Sequence, residues 1–94
     1  MKVINFYYPT PLDTITDKNN DNLDVIVTLE NNLQLCIVVT TPENLKWQIE
    51  NSNMKYLPLG LPQIIVACLD DSIIKEAIIN YVEEYDLFKK YYID

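Results

Sequence analysis

The longest β-branched stretch of the chain, residues 23–39 (LDVIVTLENNLQLCIVV), predicts a β-hairpin. A three-residue loop of Glu30, Asn31 and Asn32 would place every second residue of both arms on one face. The eight residues gathered there are all apolar, in the opposed pairs Leu29 and Leu33, Val27 and Leu35, Val25 and Ile37, and Leu23 and Val39. A two-residue loop would divide them between two faces. We therefore expect the longer loop, with Asn32 in the left-handed conformation that asparagine tolerates.

Two further strands and a helix are predicted on either side of this hairpin. Residues 2–8 are rich in Val, Ile, Phe and Tyr and end at Pro9, which predicts an edge strand. Thr41 and Pro42 are a typical N-cap and first residue of a short helix. Residues 63–69 (QIIVACL) are an apolar run of the kind found in strands buried on both faces, so we expect a central strand.

The last segment has the spacing of an amphipathic helix that begins after Asp70. Its apolar stripe consists of Ile74, Ala77, Ile78, Tyr81, Tyr85 and Phe88. Its outer side carries Glu76, Asn80, Glu83 and Glu84. The chain is thus predicted to be a single domain, residues 1–94, with an α+β fold: a mainly antiparallel sheet of about four strands with two helices on one face, in the order β-β-β-α-β-α.

Between the first strand and the hairpin, residues 10–22 are polar and predict a solvated, mobile loop. The spacing of Asp17, Asn19 and Asp21 is like the start of a calcium-binding loop. However, the sixth position is Asn22 instead of glycine, and the twelfth is threonine instead of a bidentate glutamate. We therefore predict no metal here.

The charge of the chain excludes several classes of partner. Fourteen acidic residues stand against seven lysines, with no arginine and no histidine, which gives a formal charge of −7. Nucleic acids and anionic membranes need a basic surface, so neither is expected as a partner, whereas a basic protein is. No run of about 18 apolar residues and no signal peptide is evident, which favours a cytoplasmic protein.

Catalytic groups are equally scarce. The lack of histidine removes the usual nucleophile-activating base, and the single glycine excludes phosphate-binding glycine-rich loops. Asp70, Asp71 and Glu76 could supply oxygens to a hard cation, but adjacent aspartates before a helix are more often a cap. Cys36 and Cys68 lie in apolar runs and are expected to be buried thiols. We predict neither an enzyme nor a cofactor.

What remains is a surface of aromatic and acidic residues. Trp47 points about 200° away from Leu45 on the first helix, so it either wraps around the core or is an exposed anchor. Aromatic side chains are enriched at binding surfaces, and neighbouring carboxylates attract basic partners. The predicted partner-binding residues are Trp47, Tyr56, Glu76, Glu83, Glu84 and Asp86. The alternative is a solvated helix face with incidental aromatics.

Three blocks, residues 23–30 (LDVIVTLE), 41–45 (TPENL) and 61–66 (LPQIIV), together resemble small acidic bacterial proteins of the immunity or antitoxin kind. The likeness runs from Leu23 to about Val82. It departs at Asn31 and Asn32, where an acidic residue and glycine are expected in the turn. The resemblance implies a protein that is not an enzyme and that binds one toxin, often a basic nuclease, blocking its active site or substrate channel.

Three functions are compatible with this sequence. The first is a stoichiometric protein-binding inhibitor, present as a monomer or homodimer, that neutralises a basic toxin or nuclease. The second is a structural or assembly module that pairs through a sheet edge or a tyrosine-rich surface. The third is an enzyme or ligand binder that uses carboxylates, for which no activated group can be named.

Overall fold

The computed structural model describes residues 1–57 and 62–84, and within them the predicted α+β fold is confirmed. The sheet has four strands in the spatial order β1-β2-β3-β4, namely β1 Val3–Tyr7, β2 Asn22–Leu29, β3 Gln34–Thr40 and β4 Gln63–Ile65. The helices are α1 Pro42–Ser52 and α2 Asp71–Ile79, and α2 continues into a π-helical turn, Asn80–Glu84. The first three strands are antiparallel, whereas β4 lies parallel to β3, so the sheet is mixed.

The hairpin has the predicted register. Val25 pairs with Ile37 and Val27 pairs with Leu35. Asn32 has a φ of 67°, in the left-handed region, and its N–H donates to the Leu29 carbonyl at 2.9 Å. Seven of the eight apolar residues are buried, and Leu33 at the turn is partly buried. The alternation of apolar residues therefore fixed both the loop length and the buried face.

Helix α2 covers that buried face of the sheet. Asp70 caps it by accepting the N–H of Ile73 at 3.4 Å. Ile74, Ile78 and Val82 are completely buried. The prediction that Tyr81 belongs to the apolar stripe is wrong, because Tyr81 is 38% exposed. The π-helical turn advances less than 100° per residue, so Val82 takes the inward position instead.

Two other residues of the predicted stripe, Tyr85 and Phe88, lie outside the described residues. Ala77 is partly buried and packs against the core, as expected for a residue beside the stripe. The predicted helix is therefore confirmed over Asp71–Ile79. It then changes to a π-helical turn, although the apolar spacing in the sequence continues without a change.

The prediction of a central strand over residues 63–69 is wrong. Strand β4 is only three residues long and, within residues 1–57 and 62–84, lies at the edge of the sheet, paired with β3 alone. Ile64 and Val66 are buried, whereas Ile65 is 58% exposed. Buried and exposed side chains therefore alternate along residues 64–66. Because all three residues are apolar, the sequence does not show this alternation.

The other edge of the sheet is β1, as predicted. The N–H of Val3 donates to Glu83 Oε2 at 2.9 Å, and Lys2 Nζ lies 3.9 Å from the other oxygen of that carboxylate. The backbone of Lys2 also bonds to Glu30, whose N–H donates to the Lys2 carbonyl at 2.9 Å. The start of β1 is thus held by the π-helical turn and by the hairpin loop.

A buried polar network holds the N-terminal end of α1. Asn44 is 5% exposed, and its Oδ1 accepts from Asn22 Nδ2 at 2.8 Å while its Nδ2 donates to Asn20 Oδ1 at 3.2 Å. The N-cap hydroxyl of Thr41 donates to the Asn19 carbonyl at 2.7 Å. The end of the polar loop is therefore bonded to α1, which the sequence did not indicate.

Candidate protein-binding surface

Helix α1 presents the only tryptophan of the chain to solvent. Of the two alternatives for Trp47, the structure has the exposed one, with 52% of the residue accessible. The helix ends at Asn53, whose φ of 57° is left-handed, and the Met54 N–H donates back to the Ile49 carbonyl at 3.2 Å. This ending turns the chain so that Met54 and Tyr56, which is 71% exposed, follow directly on the surface.

Two apolar depressions lie along this helix. One, of about 340 Å³, is lined by Trp47, Gln48, Asn51, Ser52, Met54 and Leu57. The next, of about 260 Å³, is lined by Leu45, Ile49, Leu57, Gln63 and Ile65. Leu57 lines both, so the two depressions are neighbours. The half-buried Leu45 and Ile49 therefore contribute to a surface that remains partly open.

A third depression, of about 450 Å³, lies between β4 and α2 and shares Ile65 with the second. Its lining consists of Ile64, Ile65, Val66, Ala67, Ile73, Glu76, Ala77, Asn80 and Tyr81. Shared lining residues thus connect Trp47 on α1 to Glu76 on α2. We call the three depressions together the β4-side surface, and it brings together two of the predicted partner-binding residues.

The other predicted acidic residues do not all join this surface. The Glu83 carboxylate is only 19% exposed and bonds to the start of β1, so its charge is compensated within the fold. Glu84 is exposed at the end of the π-helical turn. Asp86 lies outside the described residues. The sequence could not distinguish Glu83 from Glu84, because the π-helical turn decides which of them meets β1.

A second cluster of polar and aromatic side chains joins the end of β1 to α2. The Tyr8 hydroxyl donates to Asp71 Oδ1 at 2.6 Å, and Lys75 Nζ lies 3.2 Å from Asp71 Oδ2. The same ammonium group lies 5.5 Å from the centre of the Phe6 ring, a cation–π distance. The four side chains are therefore partners of one another through a hydrogen bond, an ion pair and a cation–π contact.

The pKa shifts in this cluster agree with a structural role. Burial, and then the hydrogen bond to Asp71, raise the pKa of Tyr8 above its usual value. The hydrogen bond from Tyr8 lowers the pKa of Asp71, and Lys75 lowers it further. Both groups therefore keep their ordinary charge near neutral pH, so neither exchanges a proton there.

The Asp70 carboxylate acts as a helix cap. It accepts hydrogen bonds from the Ser72 hydroxyl and from the Ile73 N–H, and these bonds lower the pKa of Asp70. Across residues 1–57 and 62–84, no group of three or more His, Cys, Asp or Glu side chains is placed to hold a metal ion.

Neither cysteine is paired. Cys36 and Cys68 are free and partly buried. Burial raises the pKa of the Cys36 thiol, and the negative charge of Asp24 raises it further. Because the thiolate is the reactive form, this environment disfavours nucleophilic chemistry at Cys36.

Sequence reasoning missed Ile65 and Met54 as surface residues. Ile65 was assigned to a central strand, and Met54 to a connector. Their signals were weak: Met54 follows a helix that ends in three polar residues, and Ile65 alternates with Ile64 and Val66 in an apolar run.

In the part of the chain that the structure describes, no helix has the length and apolar character needed to cross a membrane. Comparison of the chain with protein-family models, with curated proteins and with solved structures finds no match.

Proposed function

We propose that this chain is a small acidic protein-binding inhibitor of the immunity or antitoxin type, acting in the cytoplasm. It would neutralise a basic toxin or nuclease by covering that protein's active surface. The net charge of −7 supports a basic partner, since opposite charges accelerate encounter and penalise wrong partners. The role needs no catalytic group and no cofactor.

The observation that carries this proposal is the exposed Trp47 with its surroundings. Met54 and Leu57 form an apolar depression on one side of the indole. On the other side, Trp47 lines a depression with the exposed carboxylates of Glu43 and Glu50 and with Lys46, whose Nζ lies 3.9 Å from Glu50 Oε1. An aromatic anchor beside a pocket, with a polar rim, is the usual composition of an energetic hot spot in a protein interface.

The proposal can be tested by affinity capture from cells of the native host, followed by activity measurement on the captured partner. We expect one-to-one inhibition of that partner by the wild-type chain. Trp47→Ala should weaken the complex by about 30-fold or more, as hot-spot tryptophans do. Association should slow as the salt concentration rises from about 0.05 to 0.5 M, because screening weakens electrostatic steering.

Tyr7→Ala is the matched control. Tyr7 is 57% exposed, close to the exposure of Trp47, but it lies on β1, at the opposite edge of the sheet. Its replacement should leave affinity and inhibition unchanged. A partner that binds Trp47→Ala as tightly as wild type, or that keeps full activity when saturated, would contradict the proposal.

The alternative function is a structural or assembly module that pairs with itself. The position of β4 at the sheet edge and the exposure of Ile65 favour this alternative. Two copies would each bring a charge of −7, which opposes their approach. Sedimentation equilibrium separates the two functions: a stable dimer that forms without any partner, at low and at high salt, would favour assembly.

A further inference from the structure

The backbone of β4 has one side turned away from the sheet. The Val38 N–H donates to the Pro62 carbonyl at 2.9 Å, and the Val66 N–H donates to the Thr40 carbonyl at 2.8 Å. Because backbone polar groups point to alternate sides along a strand, the groups of Gln63 and Ile65 point away from β3. No other strand among the described residues pairs with β4 on that side.

Helix α2 faces this edge across a depression. The 450 Å³ depression has β4 as one wall and, as the other, residues of α2 and the π-helical turn that include Ile73, Ala77 and Tyr81. A strand placed beside β4 would therefore contact α2 with every second side chain, as the existing strands do. The lining is polar as well as apolar, because Glu76 and Asn80 belong to it, so it suits a strand that brings both kinds of side chain.

The charge of the depression beside β4 favours one kind of added strand. Glu76 is the one charged side chain in this lining, and it is exposed. The nearby Lys75 is already engaged by Asp71 and Phe6, so it does not neutralise the groove. A second copy of this chain would bring further negative charge, whereas a lysine or arginine would pair with Glu76.

We propose that β4 is the docking site for an extended segment of a basic protein partner, whose α2-facing side chains are apolar except for one basic residue. The segment adds a fifth strand through the outward backbone groups of Gln63 and Ile65. Its apolar side chains enter the depression under α2, and a basic side chain lies against Glu76. This inference rests on the proposed function and specifies how the partner is bound.

The test uses an acetylated, amidated octapeptide in which threonine alternates with isoleucine and one central isoleucine is replaced by lysine, so that the lysine shares a face with the remaining isoleucines. This lysine peptide is added to the full chain and its binding is followed by NMR. We expect the amide signals of Gln63, Ile65 and Ala67 to shift, and hydrogen exchange of the Ile65 amide to slow by about tenfold or more. The same peptide with glutamate in place of that lysine should bind at least about tenfold more weakly, a difference of 1.4 kcal/mol. Equal binding of the two peptides, or shifts confined to other strands, would overturn the inference.

Variants at Ile65 test the backbone bond separately from the side chain. Ile65→Pro removes the outward N–H, which proline lacks, without touching the ladder to β3, and should weaken the lysine peptide by about tenfold. Ile65→Ala removes side-chain atoms but keeps the N–H, and should weaken binding by about threefold or less. Unchanged amide signals from Val25 and Ile37 show that the core of each variant is folded. Equal losses for both variants would overturn strand addition.

Glu76→Gln and Glu30→Gln form the matched pair for charge, since each removes one negative charge from an exposed position and Glu30 lies at the hairpin loop, away from β4. Glu76→Gln should weaken the lysine peptide by about threefold to fivefold, and Glu30→Gln by less than about twofold. Equal effects of the two variants would show that only the overall negative charge of the protein attracts the peptide, and would overturn the assignment of the basic side chain to Glu76.

The outcomes separate this inference from the proposed function. A captured partner that depends on Trp47 but binds Ile65→Pro normally would leave the inhibitor function standing and overturn strand addition. Protection of the Ile65 amide by the lysine peptide, with no inhibited partner, would support the docking edge and contradict the inhibitor function. A dimer of the chain that Ile65→Pro dissociates would assign the edge to a second copy and overturn the inference.

Discussion

The two helices of this fold are attached in different ways. Helix α2 and its π-helical turn place Ile74, Ile78 and Val82 in the core with no exposed surface. Helix α1 buries one residue only, the polar Asn44. Apolar burial thus holds α2 along its length, whereas hydrogen bonds hold α1 at one end. The second kind of attachment leaves most of α1 accessible, and that accessible part carries Trp47.

The two kinds of attachment also differ in how much free energy they contribute to folding. A fully buried aliphatic side chain contributes roughly 1.5–3 kcal/mol, whereas a typical hydrogen bond contributes roughly 0.5–1.5 kcal/mol net. We therefore expect the stability of the fold to depend mainly on α2 and the hairpin. The part of the β4-side surface that lies on α1 can then bind a partner while contributing little to the free energy of folding.

The strongest test of the comparison replaces one isoleucine in each helix. Ile78→Ala should lower the free energy of unfolding by about 2–5 kcal/mol, because it leaves a cavity in a packed core. Ile49→Ala, the same change at a half-buried position of α1, should lower it by less than about 1.5 kcal/mol. Urea unfolding followed by circular dichroism measures both. Similar losses would show that α1 is packed as firmly as α2.

The next test removes the polar attachment of α1. Asn44→Ala should lower the free energy of unfolding by about 1–3 kcal/mol, since Asn20 and Asn22 lose their partner in a part-buried site. Hydrogen exchange of the α1 amides should accelerate more than that of α2. Gln48→Ala is the control, because it removes only one bond to Asn44 Oδ1 and should cost less. Unchanged exchange in α1 would contradict the role given to Asn44.

The smallest effect is expected at the contact between β1 and the start of α2. Tyr8→Phe removes the bond to Asp71 and should cost about 0.5–1 kcal/mol, since the site is partly exposed to solvent. Tyr7→Phe, the neighbouring exposed tyrosine, should cost nothing measurable.

The same contact predicts a pH dependence with a definite sign. The lowered pKa of Asp71 stabilises the folded chain above the unfolded value of about 4, and this contribution is lost as the pH falls below it. The raised pKa of Tyr8 acts in the opposite direction, so its contribution is lost as the pH rises above about 10. Both losses should be smaller in Tyr8→Phe, measured by urea unfolding across that range. Identical pH profiles for wild type and variant would contradict the assignment.

The sequence was most informative where side chains alternate. The hairpin register followed from eight apolar residues that only one loop length places on one face, and Asn32 had the conformation that this loop needs. Capping by Thr41 and Asp70 was equally readable, because a cap depends on residues close in the chain. Local rules therefore predicted the hairpin and the starts of both helices correctly.

Contacts between distant residues were not predictable in the same way. The position of β4 depends on which strand it meets, and an apolar run fits an edge and a centre alike. Asn44 donates a hydrogen bond to Asn20, which is 24 residues away in the sequence, so no local sequence pattern predicts this polar network. Of the candidate surface, Trp47 and Glu76 were predicted, but the depressions that connect them through Leu57 and Ile65 follow from the tertiary structure alone.

The bond between Val3 and Glu83 has a consequence for the order of folding. It joins residues 80 positions apart, whereas the hairpin forms around a loop of three residues. Closing a long segment of chain costs more entropy than closing a short one, so we expect β2 and β3 to associate early and the contact between β1 and the π-helical turn to form late. This contact would then also be among the first to break when the protein opens.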